Sequence, residues 1–276
     1  LAMSLYFFDA NECGTEVDDN CLTWRGNCHT YDAEASLDSA ANLSSSEKAM
    51  IKEANGGSNT VDVSGGYHDA GDHIKFNVTM GFAASSLAMS YYMNPGAYEK
   101  ANCEGHFREV LKKTCDYLMK TTYLDNSGNV YAVCATVANS ADHDVTWEPP
   151  EKQTYDRPTY WLTASYNNSV TTATMASALA GTAYVFKDVD AEYSAKCMKY
   201  SKALYDFAKK YPDMQDTTSG LYRLTDTYID DLALAEVWFY INGEGSLPTY
   251  KPTANGCYNG QYYDYHLYCW DKVWSG

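Results

Sequence analysis

Val170–Phe186 reads VTTATMASALAGTAYVF, with small or apolar side chains on nearly every side of a helical wheel and no charge. A helix without a polar face must be surrounded by other helices, so this stretch predicts an inner helix. Thr79–Tyr92 and Ile229–Ile241 have the same character. Alternating with them in the chain are segments of another kind. Phe107, Val110, Leu111 and Leu118 recur at helical spacing in one, and Tyr193, Cys197, Tyr200, Leu204, Phe207 and Tyr211 in the other. Polar residues between them make each an amphipathic helix with one face on a core. Asp190 is placed to cap the second and Pro212 to stop it. The alternation predicts inner and outer layers of helices in one mainly α domain. The joining segments Asn11–Gly66, Leu124–Asn168 and Asn242–Trp270 are long, polar and dotted with Gly, Pro, Asn and aromatic residues; loops of this length in a compact domain are usually functional.

The 276 residues carry 36 acidic and 20 basic side chains, a formal charge of −16. Such a surface repels phosphate backbones and anionic lipid heads, so neither nucleic acid nor a membrane is an expected partner. Tyrosine is abundant, at 26 residues, and offers flat faces with polar edges for hydroxylated ligands, although half-buried helix positions account for most of them equally well. The cysteines at 13, 21, 28, 103, 115, 134, 197, 257 and 269 show no zinc-type spacing, which argues against structural zinc. Asn42-Leu43-Ser44, Asn77-Val78-Thr79 and Asn167-Asn168-Ser169 each fit the N-glycosylation pattern. Together these predict a secreted, extracellular protein with several disulfides and one cysteine left free or paired to another chain. The opening LAMSLYFFDA lacks a basic start and a cleavage-like site and reads as a first helix of a mature chain. No apolar run is long enough to span a bilayer.

Tyr67-His68-Asp69-Ala70-Gly71-Asp72-His73 places two carboxylates three residues apart with a glycine between. In a turn leading into a helix both can face one water, one taking its proton while the other orients it, as general-base hydrolysis requires. A capping turn or a calcium loop is the alternative for an isolated Asp-x-x-Asp.

The surrounding stretch from Val63 to Phe76, VSGGYHDAGDHIKF, closely resembles the catalytic-base segment of glycoside hydrolase family 9, the inverting cellulases and endoglucanases. Ser4–Ala10 is similar to that family's first helix, and Trp24-Arg25-Gly26-Asn27 to its Trp-Arg-Gly-Asp segment. Asp142, His143, Trp147, Pro150, Glu151 and Arg157 fit its His-x-x-x-Trp-x-x-Pro-Glu loop, and Tyr184–Asp188 fits as well. The resemblance implies an all-α fold, an (α/α)6 toroid. It assigns Asp72 as general base and Asp69 as the acid that helps hold the water. It places His143 and Trp147 on the glycone side of the cleft, and Tyr222 facing substrate, with Thr225 where many members have a stacking tryptophan. The expected ligand is a β-1,4-glucan or cello-oligosaccharide, and no cofactor is required for chemistry. A structural calcium, as in some members, would take Asp226, Asp230, Asp231 and Asp271, a hard-oxygen set suited to that ion; an acid-rich helix N-terminus favoured by the dipole is the other reading.

The sequence ends at Val273–Gly276, similar to a family segment that leads into several more helices. Residues 1–276 are therefore expected to be the N-terminal part of one catalytic domain. The resemblance puts the general acid on that further part, supplied by a longer chain or by a second chain carrying the C-terminal half. A noncatalytic β-glucan-binding protein made from a shortened family member is the alternative function.

Overall fold

The computed structural model describes residues 1–40, 42–145, 148–222, 224 and 228–246. Helices α1 (Ala2–Asn11), α2 (Ser45–Ala54), α3 (Asn77–Met93), α4 (Pro95–Lys100), α5 (Glu104–Lys120), α6 (Ser140–Val145), α7 (Ser169–Phe186), α8 (Ala191–Lys210) and α9 (Ile229–Ile241) dominate them. α7 is the inner helix its sequence demands: every residue except Val170 and Tyr184 is buried. It packs against α3, α8 and α9. Gly181 permits the closest approach, because a Cβ there would lie 2.9 Å from the Ala88 Cβ of α3 and 3.0 Å from the Trp238 ring of α9. The indole N–H of Trp238 donates to Ser85 Oγ at 3.1 Å, so α9 and α3 are also tied by a buried polar contact.

α5 and α8 form the outer layer. Phe107, Val110, Leu111 and Leu118 of α5 and Tyr193, Cys197, Leu204 and Phe207 of α8 are buried, and the Tyr193 hydroxyl donates to Lys112 O across the two helices at 3.2 Å. Asp190 caps α8 by accepting from Tyr193 N at 2.9 Å. Lys209 and Lys210 occupy the last turn, where cations suit the helix dipole.

Within Asn11–Gly66 and Leu124–Asn168, both read from sequence as joining segments, the structure folds strands. β1 (Ala35–Ser36) pairs antiparallel with β2 (Thr60–Val61). β5 (Val130–Val137) pairs antiparallel with β3 (Lys75–Phe76), β4 (Thr122–Leu124) and β6 (Thr159–Thr163). β5, VYAVCATV, is buried at every position but Tyr131, so its near-continuous apolar run lacks the alternation that marks a half-exposed strand. The sheet matters for function because β3 joins the two-aspartate loop directly to α3. Asn77, the first residue of α3, donates to Thr121 Oγ1 and Cys134 O at 3.0 Å each.

Two expectations are corrected. All seven described cysteines are unpaired, and only Cys21 is exposed. Cys103, Cys115, Cys134 and Cys197 face the core from different elements and pack as small apolar residues; Cys115, for example, donates to Thr182 Oγ1 at 3.1 Å. Cys257 and Cys269 lie outside the described residues. Two of the three glycosylation patterns also fail sterically. Asn77 and Asn167 are 0% and 1% exposed, and the Asn42 side chain is clamped to Trp161 by bonds of 2.6 and 2.8 Å.

Candidate active site and metal centre

The two-aspartate loop begins where Gly65 and Gly66 turn the chain with φ of +86° and +75°. A Cβ on Gly66 would lie 2.8 Å from the Tyr117 ring, so only glycine lets the backbone cross that ring. Tyr67 then bridges to Glu12, and His68 N donates to Asn11 O at 2.7 Å. The bond from Asp69 N to Ile74 O, 2.9 Å, closes a turn that carries both acids.

His143 Nδ1 lies 2.7 Å from Asp72 Oδ2. Asp72 is 5% exposed, and its other oxygen, Oδ1, is buried with no hydrogen-bond partner among the described residues. Burial pushes the Asp72 carboxyl above the ordinary carboxylate range; the His143 hydrogen bond opposes this and the Asp69 charge adds to it. A carboxylate held in this way retains an oxygen lone pair for a proton. Asp69 is held separately: the Tyr222 hydroxyl donates to Asp69 Oδ2 in a short bond. Tyr222 is set by an edge-on contact with Phe76, ring centroids 5.3 Å apart. Burial and the Asp69 hydrogen bond raise the Tyr222 phenol well above its ordinary value, so it stays a donor.

The far end of the loop is anchored by buried charge. Lys75, 0% exposed, donates to Asp32 Oδ2 at 2.8 Å and to Val63 O at 2.6 Å. Arg157 reaches the same carboxylate at 3.0 Å and donates to His73 O at 2.8 Å. Burial works against the Asp32 anion, but the Lys75 and Arg157 charges outweigh it and hold its carboxyl below the usual range. Arg25 and Glu151, singled out in separate motifs, meet at 2.8 Å.

Thus Asp69, Asp72, His143 and Tyr222 converge, each acid gripped by a residue distant in sequence. Trp147 lies outside the described residues, as do Asp226 and Asp271 of the expected calcium set. Asp230 and Asp231 sit in the first turn of α9. Asp231 Oδ1 accepts from Thr174 Oγ1 at 3.1 Å, and burial followed by the Asp230 charge pushes its carboxyl far above the ordinary range. Asp230 Oδ1 is buried and unpartnered among the described residues.

No zinc-type spacing marks the sequence, yet four potential ligands meet in the fold. Cys13, Cys28, His29 and His68 are all buried and present ligand atoms within 4.8 Å of one another. A tetrahedral zinc site with ordinary bond lengths separates nitrogens by about 3.3 Å and nitrogen from sulfur by about 3.6 Å. Here His29 Nδ1 lies 3.1 Å from His68 Nε2 and 3.7 Å from Cys13 Sγ. His29 Nε2 lies 2.8 Å from Gln153 Oε1; donating there leaves Nδ1 as the free ligand nitrogen. Burial, then the charges of His29 and Arg157, keep His68 neutral. The hydrogen bond from Cys13 outweighs burial and brings the Cys28 thiol down to about 7, while burial drives Cys13 up. Arg25 donates to Cys28 Sγ at 3.4 Å. Two sulfurs and two imidazole nitrogens, all buried and within reach of one another, fit a zinc-type cation. The ligands come from the segments around Cys13, Cys28 and Tyr67, joined by backbone bridges rather than by a motif. In the sequence only the adjacent Cys28-His29 pair hinted at them.

Comparison with known proteins places these features in context. A family model described as glycosyl hydrolase family 9 matches residues 1–276. An endoglucanase of Dictyostelium discoideum is 31% identical over 246 residues, covering 87% of this chain and 32% of that protein. The catalytic domain of Clostridium thermocellum CelT superposes with a TM-score of 0.85 at 32% identity, covering 98% of this chain and 59% of that one. The cellulase Cel9M of C. cellulolyticum, solved in complex with cellobiose, gives 0.71 at 30% identity, covering 87% and 49%. The chain thus spans about a third of the length of the first curated relatives it matches.

Proposed function

The chain belongs to glycosyl hydrolase family 9, whose fold is the (α/α)6 barrel, and from that premise we propose that the protein is an endo-β-1,4-glucanase acting on cellulose or related β-glucans with inversion. The observation that carries this reading is the pairing of Asp72, held by His143 with one oxygen unpartnered, with Asp69, held independently by Tyr222. Water held by Asp69 attacks the anomeric carbon and passes its proton to Asp72. The glycosidic C–O bond breaks as a second carboxylic acid protonates the departing oxygen. We assign that acid to a position outside residues 1–276, on further sequence or on a second chain. Inversion calls for about 6.5–9.5 Å between the two carboxyl groups, so that water fits beneath the sugar. His143 and Trp147 are assigned to the glycone side of the cleft.

Reducing-sugar release from soluble cellulose by the full-length protein, alongside calorimetry with cello-oligosaccharides, tests the reading. Turnover that yields the α-anomer first, seen by proton NMR, supports it. Binding without turnover favours a noncatalytic β-glucan-binding protein instead. An insoluble polymeric substrate places the enzyme outside the cell, the localisation we propose.

For the tetrad, we propose a zinc-type structural cation held by Cys13, Cys28, His29 and His68. It supplies cross-linking, not sugar chemistry. One equivalent of zinc by elemental analysis, and a thiolate charge-transfer band after cobalt substitution, are expected. A calcium ion at Asp226, Asp230, Asp231 and Asp271 remains a separate proposal, supported by the buried, unpartnered Asp230 Oδ1 and by the raised carboxyl of Asp231 beside it.

A further inference from the structure

α6 (Ser140–Val145), which carries His143 to Asp72, is only six residues long. Of Ser140, Ala141, Asp142 and His143, Asp142 alone is buried, at 2% exposed. A helix this short has no stability of its own, so among the described side chains the grip on that carboxylate sets its place. We propose that Asp142 is a positioning residue for hydrolysis, docking α6 so that the His143 ring meets the Asp72 carboxylate. The inference rests on the role proposed for Asp72 as base.

Asp142 is held by three side chains from outside α6. Arg157 Nη1 donates to its Oδ2 at 3.5 Å, the Tyr155 hydroxyl donates to its Oδ1 in a short bond, and His73 Nδ1 lies 3.7 Å from the same Oδ1. Burial works against the Asp142 anion, but His73, the Tyr155 hydroxyl and the Arg157 charge together outweigh it and keep its carboxyl below the usual range. Arg157 also donates to His73 O at 2.8 Å and to Asp32 Oδ1 at 3.0 Å. One rigid guanidinium fork therefore fixes both the residue after Asp72 and the residue before His143. Two adjacent contacts result, Asp72 with His143 at 2.7 Å and His73 with Asp142 at 3.7 Å, and any shift of Asp142 carries His143 with it. The start of α6 is tied separately, by Ala138 N to Pro158 O at 2.9 Å and Asp142 N to Asn139 O at 3.0 Å.

Asp142 acts on Asp72 in two opposed ways. Through space its negative charge raises the Asp72 carboxyl; through His143, whose hydrogen bond is the larger influence, it lowers it. The other groups facing Asp72 are Asp69 on its own loop and the Tyr222 phenol bonded to Asp69. Removing Asp142 thus moves the acid limb of kcat/KM to lower pH if only its charge matters, and to higher pH if the His143 bond is lost with it.

The test compares the full-length protein with Asp142→Ala, Tyr155→Phe, His143→Ala and the double variant Asp142→Ala/His143→Ala, at a temperature where circular dichroism shows each fold intact. Tyr155→Phe keeps the Asp142 charge and deletes one of its bonds, so it carries the test if Asp142→Ala does not fold. kcat/KM on soluble β-glucan is measured across pH, and the His143 ring nitrogens, identified by their absence in His143→Ala, are followed by NMR. We expect Asp142→Ala to lower kcat/KM about 10- to 100-fold, the scale of a misplacement near 1 Å, and Tyr155→Phe to lower it by less. Both should move the acid limb to higher pH and weaken the hydrogen-bonded Nδ1 signal. In the His143→Ala background, Asp142→Ala should change kcat/KM by less than about twofold, because the group it positions is gone. A limb that moves to lower pH, equal fold losses in the two backgrounds, or an unchanged His143 signal would overturn the proposal. If the native protein hydrolyses no β-glucan, the proposed function falls; loss of the bonded His143 signal in Asp142→Ala then still upholds the docking role, and an unchanged signal overturns it.

Discussion

Replacing Lys75 with Met probes the far anchor of the two-aspartate loop. The methionine side chain retains most of the aliphatic volume, so the substitution removes charge and donors without opening a large cavity. Three contacts disappear: Asp32 Oδ2 at 2.8 Å, Val63 O at 2.6 Å and Gly65 O at 3.2 Å. Breaking one partner of a buried pair costs about 3–5 kcal/mol. Asp32 keeps Arg157 at 3.0 Å, which puts the expected loss near the lower end, about 3 kcal/mol. For a domain of this size that corresponds to a fall in Tm of roughly 6–12 °C. The pH dependence has a definite sign. Asp32 is depressed in the folded state, so its contribution is present above the unfolded carboxylate pKa and is lost as pH falls through the folded value. Without Lys75 the folded value rises, and acid unfolding begins at higher pH. Thermal melts followed by circular dichroism at pH 7, and an acid titration, measure both effects. Lys112→Met serves as control, because its pair with Asp116 is exposed, 48% and 40%, and should contribute less than about 1 kcal/mol. A Tm at pH 7 indistinguishable from the Lys112→Met control would refute the reasoning.

Two further outcomes follow from the site. His143→Ala removes the hydrogen bond that opposes the rise in the Asp72 pKa, so the acid limb of the kcat/KM profile should move to higher pH; an unmoved limb would separate His143 from the base. Tyr222→Phe deletes the donor on Asp69, and loss of a hydrogen bond to a charged group, about 1.5–3 kcal/mol, predicts a kcat reduced roughly 10- to 100-fold, measured on soluble β-glucan with KM as the internal check.

The helices were legible in the sequence because apolar periodicity is a local property. Tyr193 through Phe207 and the uncharged run of α7 each announce which face is buried, whatever they pack against. β5 was not legible: buried nearly throughout, VYAVCATV lacks alternation and lay inside a stretch rich in loop residues. The acids at 69 and 72 were found by spacing and resemblance, but their partners were set by tertiary structure. Tyr222 is 153 positions from Asp69, and His143 is 71 from Asp72. The cysteine–histidine tetrad was missed for the same reason. Cys13 and Cys28 are brought together by a backbone bridge between Gly14 and Cys28, and such a bridge has no sequence spacing to recognise. Asn77 and Asn167 carry the reverse lesson, since a glycosylation pattern is local whereas the burial that blocks it is not.

The central claim, that Asp72 takes the proton from a water attacking opposite the leaving group, is tested by Asp72→Ala in the full-length enzyme with and without azide. Azide is a nucleophile that needs no base. The account predicts turnover reduced about 10²- to 10⁴-fold in water, recovered by azide, with an α-glycosyl azide as product. Near-native hydrolysis by Asp72→Ala in water, or a rescued product of β configuration, would contradict it.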